Sequence, residues 1–449
     1  MYFKDLVVAL KEHAFVRTEY PLVLSFEMHC NLKGQQRIAE ILEAEIKDQI
    51  FVLPSDYETM MLYPSPESLK RKFIIKSKGN VPHFTQDELH TDDDEPNLNL
   101  TQLNRIFYTK QNFMPKRYSA DEEEEKQAIN NIQAKDDLYK ATRDYQNPQN
   151  PQTNATANLR STEDVKIKVK KAKKTKSYSG LAKYYTQFGT KFDFKPNRSI
   201  WTISSLSEEK IKNFLKNNPR ELVDFCKKYW IRVFPAGTRV DSSNYDPTRA
   251  WVAGAQMVAL NYQTSDEAML LNYAKFAANG GAGYVLKPEY LRSAALADPS
   301  KARYPHEFTK PKVKLTIKII SGQQFQFEQQ TASDIIDPFV EVKLKGLEVD
   351  EESNKPYRTH TIQDNGFNPV WSTESKSCEV EYSIVAPELA TLVVKVYDGH
   401  VHKNSKVAWY AIEVPHIAEG YRAIPMLNSR FDAWAHCYLF VHVKVEHLL

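Results

Sequence analysis

Residues Ser199 to Pro235 read SIWTISSLSEEKIKNFLKNNPRELVDFCKKYWIRVFP. The short apolar run Ser199–Ile203 predicts a strand, the amphipathic stretch from about Ser207 to Tyr229 a helix, and Ile231–Pro235 a second strand. A helix-length crossover returns the chain to the same end of a sheet, so the two strands are expected to be parallel. Both are continuous apolar runs rather than alternating ones, which fits a sheet covered on both faces.

Working outward, the same pattern recurs. Gln256–Tyr262 (QMVALNY) follows as a further buried-type run, and upstream lie Lys72–Lys76 (KFIIK) and Leu22–Phe26, the last ending on Glu27. Phe3, Leu6, Val7, Leu10 and Ala14 recur at helical spacing, and Gln35–Ile46 also reads as helix. The expected strands, about five, end near Glu27, Lys76, Ser204, Phe234 and Tyr262, and an eight-stranded (β/α) barrel needs about three more. The fold class is therefore α/β, an incomplete TIM-type barrel.

From about Gly79 to Ser177 the periodicity dissolves. Acid clusters (Asp92–Glu95, Asp121–Glu125) give way to an Asn/Pro/Gln-rich stretch and then to lysines from Lys166 to Lys176. Such a composition buries too little apolar surface to offset ordering entropy, so the reading is a disordered insert that splits the barrel. Beyond a polar connector the period changes to two in Val313–Ile320, Pro338–Leu344, Thr391–Asp398 and Tyr438–Val445, with a turn signal at Asp364–Gly366, which predicts a separate all-β sandwich. The expected segments are 1–80 and 178–293 for the barrel, 81–177 for the linker, 294–311 for the connector and 312–449 for the sandwich.

The 449 residues carry a net charge of only +3, which gives no reason to expect a nucleic-acid partner. Four cysteines stand far apart without a CxxC pair, which speaks against structural zinc and a disulfide framework and fits a reducing compartment. The N-terminal apolar positions are interrupted by Lys4, Asp5, Lys11 and Glu12, unlike a signal peptide or membrane span. A cytoplasmic protein, peripheral at membranes, is expected.

Barrel chemistry gathers where strands end. The polar residues expected there are Glu27, Lys76 with Lys78, Ser204 with Ser205, and Arg232. A carboxylate faced by several cations and hydroxyls suits a phosphorylated polyanion together with a hard cation such as calcium.

Several runs, in this order along the chain, resemble phosphoinositide-specific phospholipase C of the eukaryotic, delta-like kind. They are LVLSFEMHCNLKGQQRIAEIL (Leu22–Leu42), FIIKSKG (Phe73–Gly79), SSLSE (Ser204–Glu208), RVFPAGTRVDSSNY (Arg232–Tyr245) and NGGAGYVLKPEYLR (Asn279–Arg292). The resemblance covers the later part of the X half, the Y half and a following C2 domain. It implies calcium-dependent hydrolysis of phosphatidylinositol 4,5-bisphosphate to inositol trisphosphate and diacylglycerol, in intracellular signalling. It assigns Glu27 to the catalytic calcium, and Lys76, Lys78, Ser205 and Arg232 to phosphate contacts. Phe234 stands where the family has a tyrosine against the inositol ring, and keeps the apolar face without the hydroxyl. DSSN (Asp241–Asn244) and NGG (Asn279–Gly281) read as loop architecture, and His29 is not taken as a catalytic base.

In the family the catalytic histidines come from early strands, upstream of the region matched here. The 449 residues alone are therefore expected to be inactive, and three alternatives stay open: an upstream portion, a partner chain that supplies the first half, or a catalytically inactive phosphoinositide-binding or scaffold protein. In the C2 domain, Asp337, Asp364 and Asp398 match calcium-ligand positions, while Val396 stands where a further aspartate is expected. Phosphoinositide lipid is the expected ligand. The membrane surface is met through the C2 domain and the basic run, with an upstream activator left unidentified.

Overall fold

The computed structural model describes residues 2–54, 57, 60, 62–77, 181, 185–194, 199–292, 304–326, 335–399 and 405–448. The stretch expected to be a disordered linker lies outside these residues, as does Lys78.

The N-terminal helix α1 (Phe3–His13) packs beside α2 (Leu32–Ile46), with strand β1 (Leu22–Phe26) between them in sequence. Strands β2 (Phe73–Ser77), β3 (Tyr185–Thr190), β4 (Thr202–Ser207), β5 (Trp230–Phe234) and β6 (Met257–Val258) extend one sheet in the order β1-β2-β3-β4-β5-β6, with every neighbouring pair parallel. Helices α3 (Glu208–Asn217) and α4 (Pro219–Lys228) cover its outer face, followed by α5 (Thr248–Val252), α6 (Glu267–Ala277) and the short α7 (Glu289–Arg292). The sheet curls. Tyr284, beyond α6, donates its hydroxyl to the Pro21 carbonyl at 2.8 Å just before β1, and its ring lies 5.5 Å from that of Tyr20.

Four expectations change. Among the described residues the sheet has six strands rather than about five, because the apolar signal of YTQFGT (β3) is too diluted to read as a strand in the sequence. The expected single helix from Ser207 to Tyr229 is two, since Pro219 disfavours helical backbone at Asn218, whose φ and ψ are −138° and 50°. The strand expected at Ser199–Ile203 runs from Thr202 to Ser207, and within Gln256–Tyr262 only Met257–Val258 pairs as strand.

The C-terminal domain is antiparallel. Its strands are β7 (Val313–Gln323), β8 (Pro338–Lys345), β9 (Tyr357–Arg358), β10 (Glu379–Ile384), β11 (Thr391–Asp398), β12 (Ser405–Glu413), β13 (Gly420–Leu427) and β14 (Ala433–His447), with helix α8 (Glu348–Ser353) after β8. Their order is β10-β7-β14-β13-β12-β11-β8-β9. The β12–β13 join rests on the pair Trp409↔Leu427, so the order bends there into two halves. Val313, Leu315, Ile317 and Ile319 of one half pack with Val340, Val342, Leu392 and Val394 of the other. Tyr382 of β10 donates to the Val342 carbonyl of β8 at 2.7 Å.

Helix α6 joins barrel and sandwich. Leu270, Leu271 and Ala274 form one apolar cluster with Val393, Trp409, Ala411 and Leu427. Around it Glu267 pairs with Lys343 and Lys395, both at 2.5 Å, and Lys275 pairs with Glu413 at 2.6 Å. Burial raises the Glu267 carboxyl, but the two lysines more than offset this and hold it below the usual range. Lys345 of β8 reaches Asp246 at 2.8 Å and Glu351 at 3.2 Å.

Leu270 is fully enclosed in this seam. Leu270→Ala should cost about 3 kcal/mol, read as a lower urea midpoint. A loss under about 1 kcal/mol would show that the seam contributes little.

Candidate functional site

Strand alternation decides which side chains share a face. On β4, Leu206 packs outward with Ile211, Leu222 and Phe225, so Ile203, Ser205 and Ser207 turn inward. On β5, Ile231 and Val233 join the same outer cluster, which leaves Trp230, Arg232 and Phe234 inward. On β2, Phe73 and Ile75 pack with Leu42 and Ile46 of α2, and Lys76 faces the other way. Ser205 lies opposite Arg232 and Ser207 opposite Phe234 in the β4–β5 register.

The parallel sheet therefore brings Lys76, Ser205, Arg232 and Phe234 to one face near the C-terminal ends of their strands. Ser204 is not among them, since it shares the outward side with Leu206. The Arg232 guanidinium carbon stands 5.7 Å from the centre of the Phe234 ring, a cation–π distance. Glu27 follows β1 directly and its side chain is 82% exposed, with the His29 imidazole 4.0 Å away.

The loop that carries the face is pinned by an ion pair absent from the sequence-based set. Glu208, the first residue of α3, is 3% exposed and accepts Arg239 Nε at 2.5 Å and Nη2 at 2.8 Å, plus the Ala236 amide at 3.0 Å. Burial pushes its carboxyl up, but these donors and the charges of Arg239 and Lys212 outweigh it and hold it at about 2. Arg239 also donates to Ser243 Oγ at 3.2 Å and to the Asn244 carbonyl at 3.1 Å.

Asn244 continues the network. Its amide N–H donates to Asp266 at 3.0 Å, and its side-chain oxygen accepts the Asn261 amide at 2.6 Å. Asp266 in turn caps α6 through Met269 N at 3.0 Å. The DSSN run thus builds a loop. In NGG, Gly280 and Gly281 have φ of 62° and 70°, left-handed backbone that closes the end of α6. No spacing rule could have paired Glu208 with Arg239; only the fold juxtaposes them.

In the sandwich, Asp337, Asp364 and Asp398 meet at one end. Asp337 Oδ1 accepts the Asp364 amide at 2.7 Å, and Asp398 Oδ1 accepts the Asp337 amide at 2.9 Å. The two carboxylates thus tie the loops together. Among the described residues no three His, Cys, Asp or Glu side chains form a metal-holding group. Glu27 fits a hard cation as one oxygen ligand. The described residues of the sandwich do not complete such a site.

Comparisons with known proteins agree with this architecture. The model of the phosphatidylinositol-specific phospholipase C X domain matches residues 1–79, that of its Y domain residues 178–290, and that of the C2 domain residues 313–426. The chain is 29% identical over 517 residues to 1-phosphatidylinositol 4,5-bisphosphate phosphodiesterase eta-2 of Homo sapiens, covering 99% of this chain and 34% of the relative. It is 31% identical over 460 residues to the beta-4 enzyme of Rattus norvegicus, covering 95% and 36%, and 29% identical over 450 residues to delta-3-A of Danio rerio, covering 99% and 49%. The crystal structure of L. pealei PLC21 superposes with a TM-score of 0.67 at 25% identity, covering all of this chain and 48% of that one. The chain belongs to the phosphoinositide-specific phospholipase C family and carries X, Y and C2 regions. It spans between about a third and a half of the length of these relatives.

Two outcomes test the pinned loop. Arg239→Ala leaves a buried carboxylate without its cation and should lower stability by about 3 kcal/mol, measured by chemical denaturation. A group whose folded pKa is depressed contributes stability above its unfolded pKa and loses it as pH falls through the folded value. The Glu208 contribution should therefore be complete above about pH 5 and fade toward about pH 2. Glu208→Gln should melt lower at neutral pH and show a shallower acid loss; parallel acid curves would refute the assignment.

Proposed function

We propose that the chain supplies the head-group-binding part of a phosphoinositide phospholipase C, which hydrolyses phosphatidylinositol 4,5-bisphosphate to inositol trisphosphate and diacylglycerol. The observation that carries this reading is the gathering of Lys76, Ser205, Arg232 and Phe234 on one face of the parallel sheet. Arg232 offers a planar fork to one phosphate and Lys76 a compact charge to another. Ser205 donates a hydroxyl hydrogen bond. Phe234 lays an apolar ring against the C–H face of the cyclitol. Lys78, two residues beyond Lys76, joins the set by the family resemblance.

Calcium is assigned to Glu27 as one of its ligands, and when bound it would supply Lewis-acid polarisation of the phosphoryl group. The chain's own residues orient the head group beside that carboxylate. The C2 aspartates Asp337, Asp364 and Asp398 hold loops together and are given no catalytic step. Among the described residues no helix is long and apolar enough to cross a membrane. Contact with the bilayer is assigned to the surface of the C2 domain and the basic run Lys166–Lys176, at the cytoplasmic face. The functional segments are proposed as 1–80 and 178–293 for the barrel, 81–177 for the linker and 312–449 for the C2 domain.

A second reading is that the same face binds phosphoinositide as a scaffold, without turnover. Calorimetry of the full chain with inositol 1,4,5-trisphosphate tests what both readings share. Arg232→Ala should weaken binding by about tenfold or more, the value of a lost charge-assisted contact, and added salt should weaken the wild type. Failure of the wild type to bind would refute both. Release of inositol trisphosphate from vesicles by the same chain, with calcium, separates enzyme from scaffold.

A further inference from the structure

Strand β6 is only two residues long, yet it flanks the strand that carries Arg232 and Phe234. Its pairs are Arg232↔Met257 and Val233↔Val258, and the Ala259 amide donates to the Val233 carbonyl at 2.8 Å. In a strand the N–H and C=O of one residue point to one side and those of the next residue to the other. Val233 and Ile231 therefore turn their backbone groups toward β6, while Arg232 turns its own toward β4, where Ser205 lies opposite. The Ile231 amide points to a place that β6 starts too late to fill.

The side chain of Gln256, the residue just before β6, fills it. Gln256 Oε1 accepts the Ile231 amide at 3.0 Å, and Nε2 donates to the Tyr229 carbonyl at 3.1 Å and to the Cys226 carbonyl at 2.6 Å. One primary amide, acceptor and donor together, presents to β5 what a peptide unit of a longer β6 would present. Cys226 lies in the last turn of α4, whose carbonyls have no partner within the helix, so the same side chain joins the end of α4 to the start of β5. The backbone leading to Gln256 is held as well. Gly254 has a φ of 81°, left-handed backbone that a side chain would strain, and Lys287 donates to both the Cys226 carbonyl at 2.9 Å and the Gly254 carbonyl at 3.2 Å. Gln256 itself is exposed, so replacing it opens no cavity in the core.

We propose that Gln256 is a positioning residue for Arg232. By standing in for the missing part of β6 it fixes where β5 begins, and with it the register that sets Arg232 opposite Ser205 and over the Phe234 ring. A strand gripped on one side by two residues alone is free to shift at its start, and a displacement of about 1 Å is enough to spoil a bidentate contact between guanidinium and phosphate. Lys76 stands on β2, three strands away in the sheet, and is not held by this clamp. The proposal rests on the phosphoinositide reading and deepens it, since charge recognition by Arg232 then depends on a side chain at the other end of β5 from the ligand.

The test is calorimetry of the full chain with inositol 1,4,5-trisphosphate, run as a double-mutant cycle. Gln256→Met keeps the length of the side chain and removes all three hydrogen bonds. It should weaken binding by about fivefold in the wild-type background and as much in a Lys76→Ala background. In an Arg232→Ala background it should weaken binding by less than about twofold, because the effect is carried by Arg232. Solvent exchange of the Ile231 amide should quicken in the same variant, while exchange at Phe73–Ile75 stays as in the wild type. If Gln256→Met costs as much affinity without Arg232 as with it, Gln256 is a structural residue and the proposal fails. Unchanged trisphosphate binding by Gln256→Met overturns it too, and in both cases the phosphoinositide reading stands on the loss caused by Arg232→Ala. If the wild type binds no trisphosphate, that reading fails and takes this one with it.

Discussion

The bidentate pair between Glu208 and Arg239 sets the geometry on which the candidate site depends. Glu208 opens the helix that leaves β4, and Arg239 lies in the loop that leaves β5, so the pair locks two adjacent strand ends together. Ser205 and Arg232 sit opposite each other just before those ends, with Phe234 at the last position of β5. A carboxylate enclosed this completely is stable only with its cation and its amide donor in place. The loop therefore has little freedom to move without exposing or stranding a charge.

From that pair a continuous run of polar contacts leads away from the strand ends. Arg239 holds Ser243 and Asn244, Asn244 holds Asn261 and Asp266, and Asp266 caps α6. The far side of α6 lies on the C2 sandwich through an apolar seam rimmed by lysine–carboxylate pairs. The stacked rings of Trp409 and Phe431, 5.1 Å apart, and of Phe431 and Tyr273, 6.0 Å apart, extend the seam.

Much of this was legible in the residues. Continuous apolar runs gave β1, β2 and β5, and the inward placement of Arg232 and Phe234 follows from alternation once β5 is fixed; that of Ser205 does not, because the apolar run ends at Ile203 while β4 continues to Ser207. The strand YTQFGT was missed because two threonines, a glutamine and a glycine dilute its apolar signal. The break at Asn218 was signalled by Pro219 and overridden by the helical periodicity on both sides. In the sandwich, β13 contains Pro425 beside a register shift, which hides it from a search for regular alternation. The resemblance set Asp337, Asp364 and Asp398 at ligand-like loop positions, but the engagement of the Asp337 and Asp398 carboxylates with backbone amides was not legible, because it depends on loop conformation.

The central claim is that the strand ends of β2, β4 and β5 form one anion-binding face. Hydrogen exchange of the full chain, with and without inositol 1,4,5-trisphosphate, tests it most directly. The account predicts that ligand slows exchange of amides at Lys76–Ser77, Ser205–Glu208 and Arg232–Arg239 together, and leaves the amides of β7 and β14 unchanged. Slowing confined to the sandwich, or at only one of the three strand ends, would contradict it.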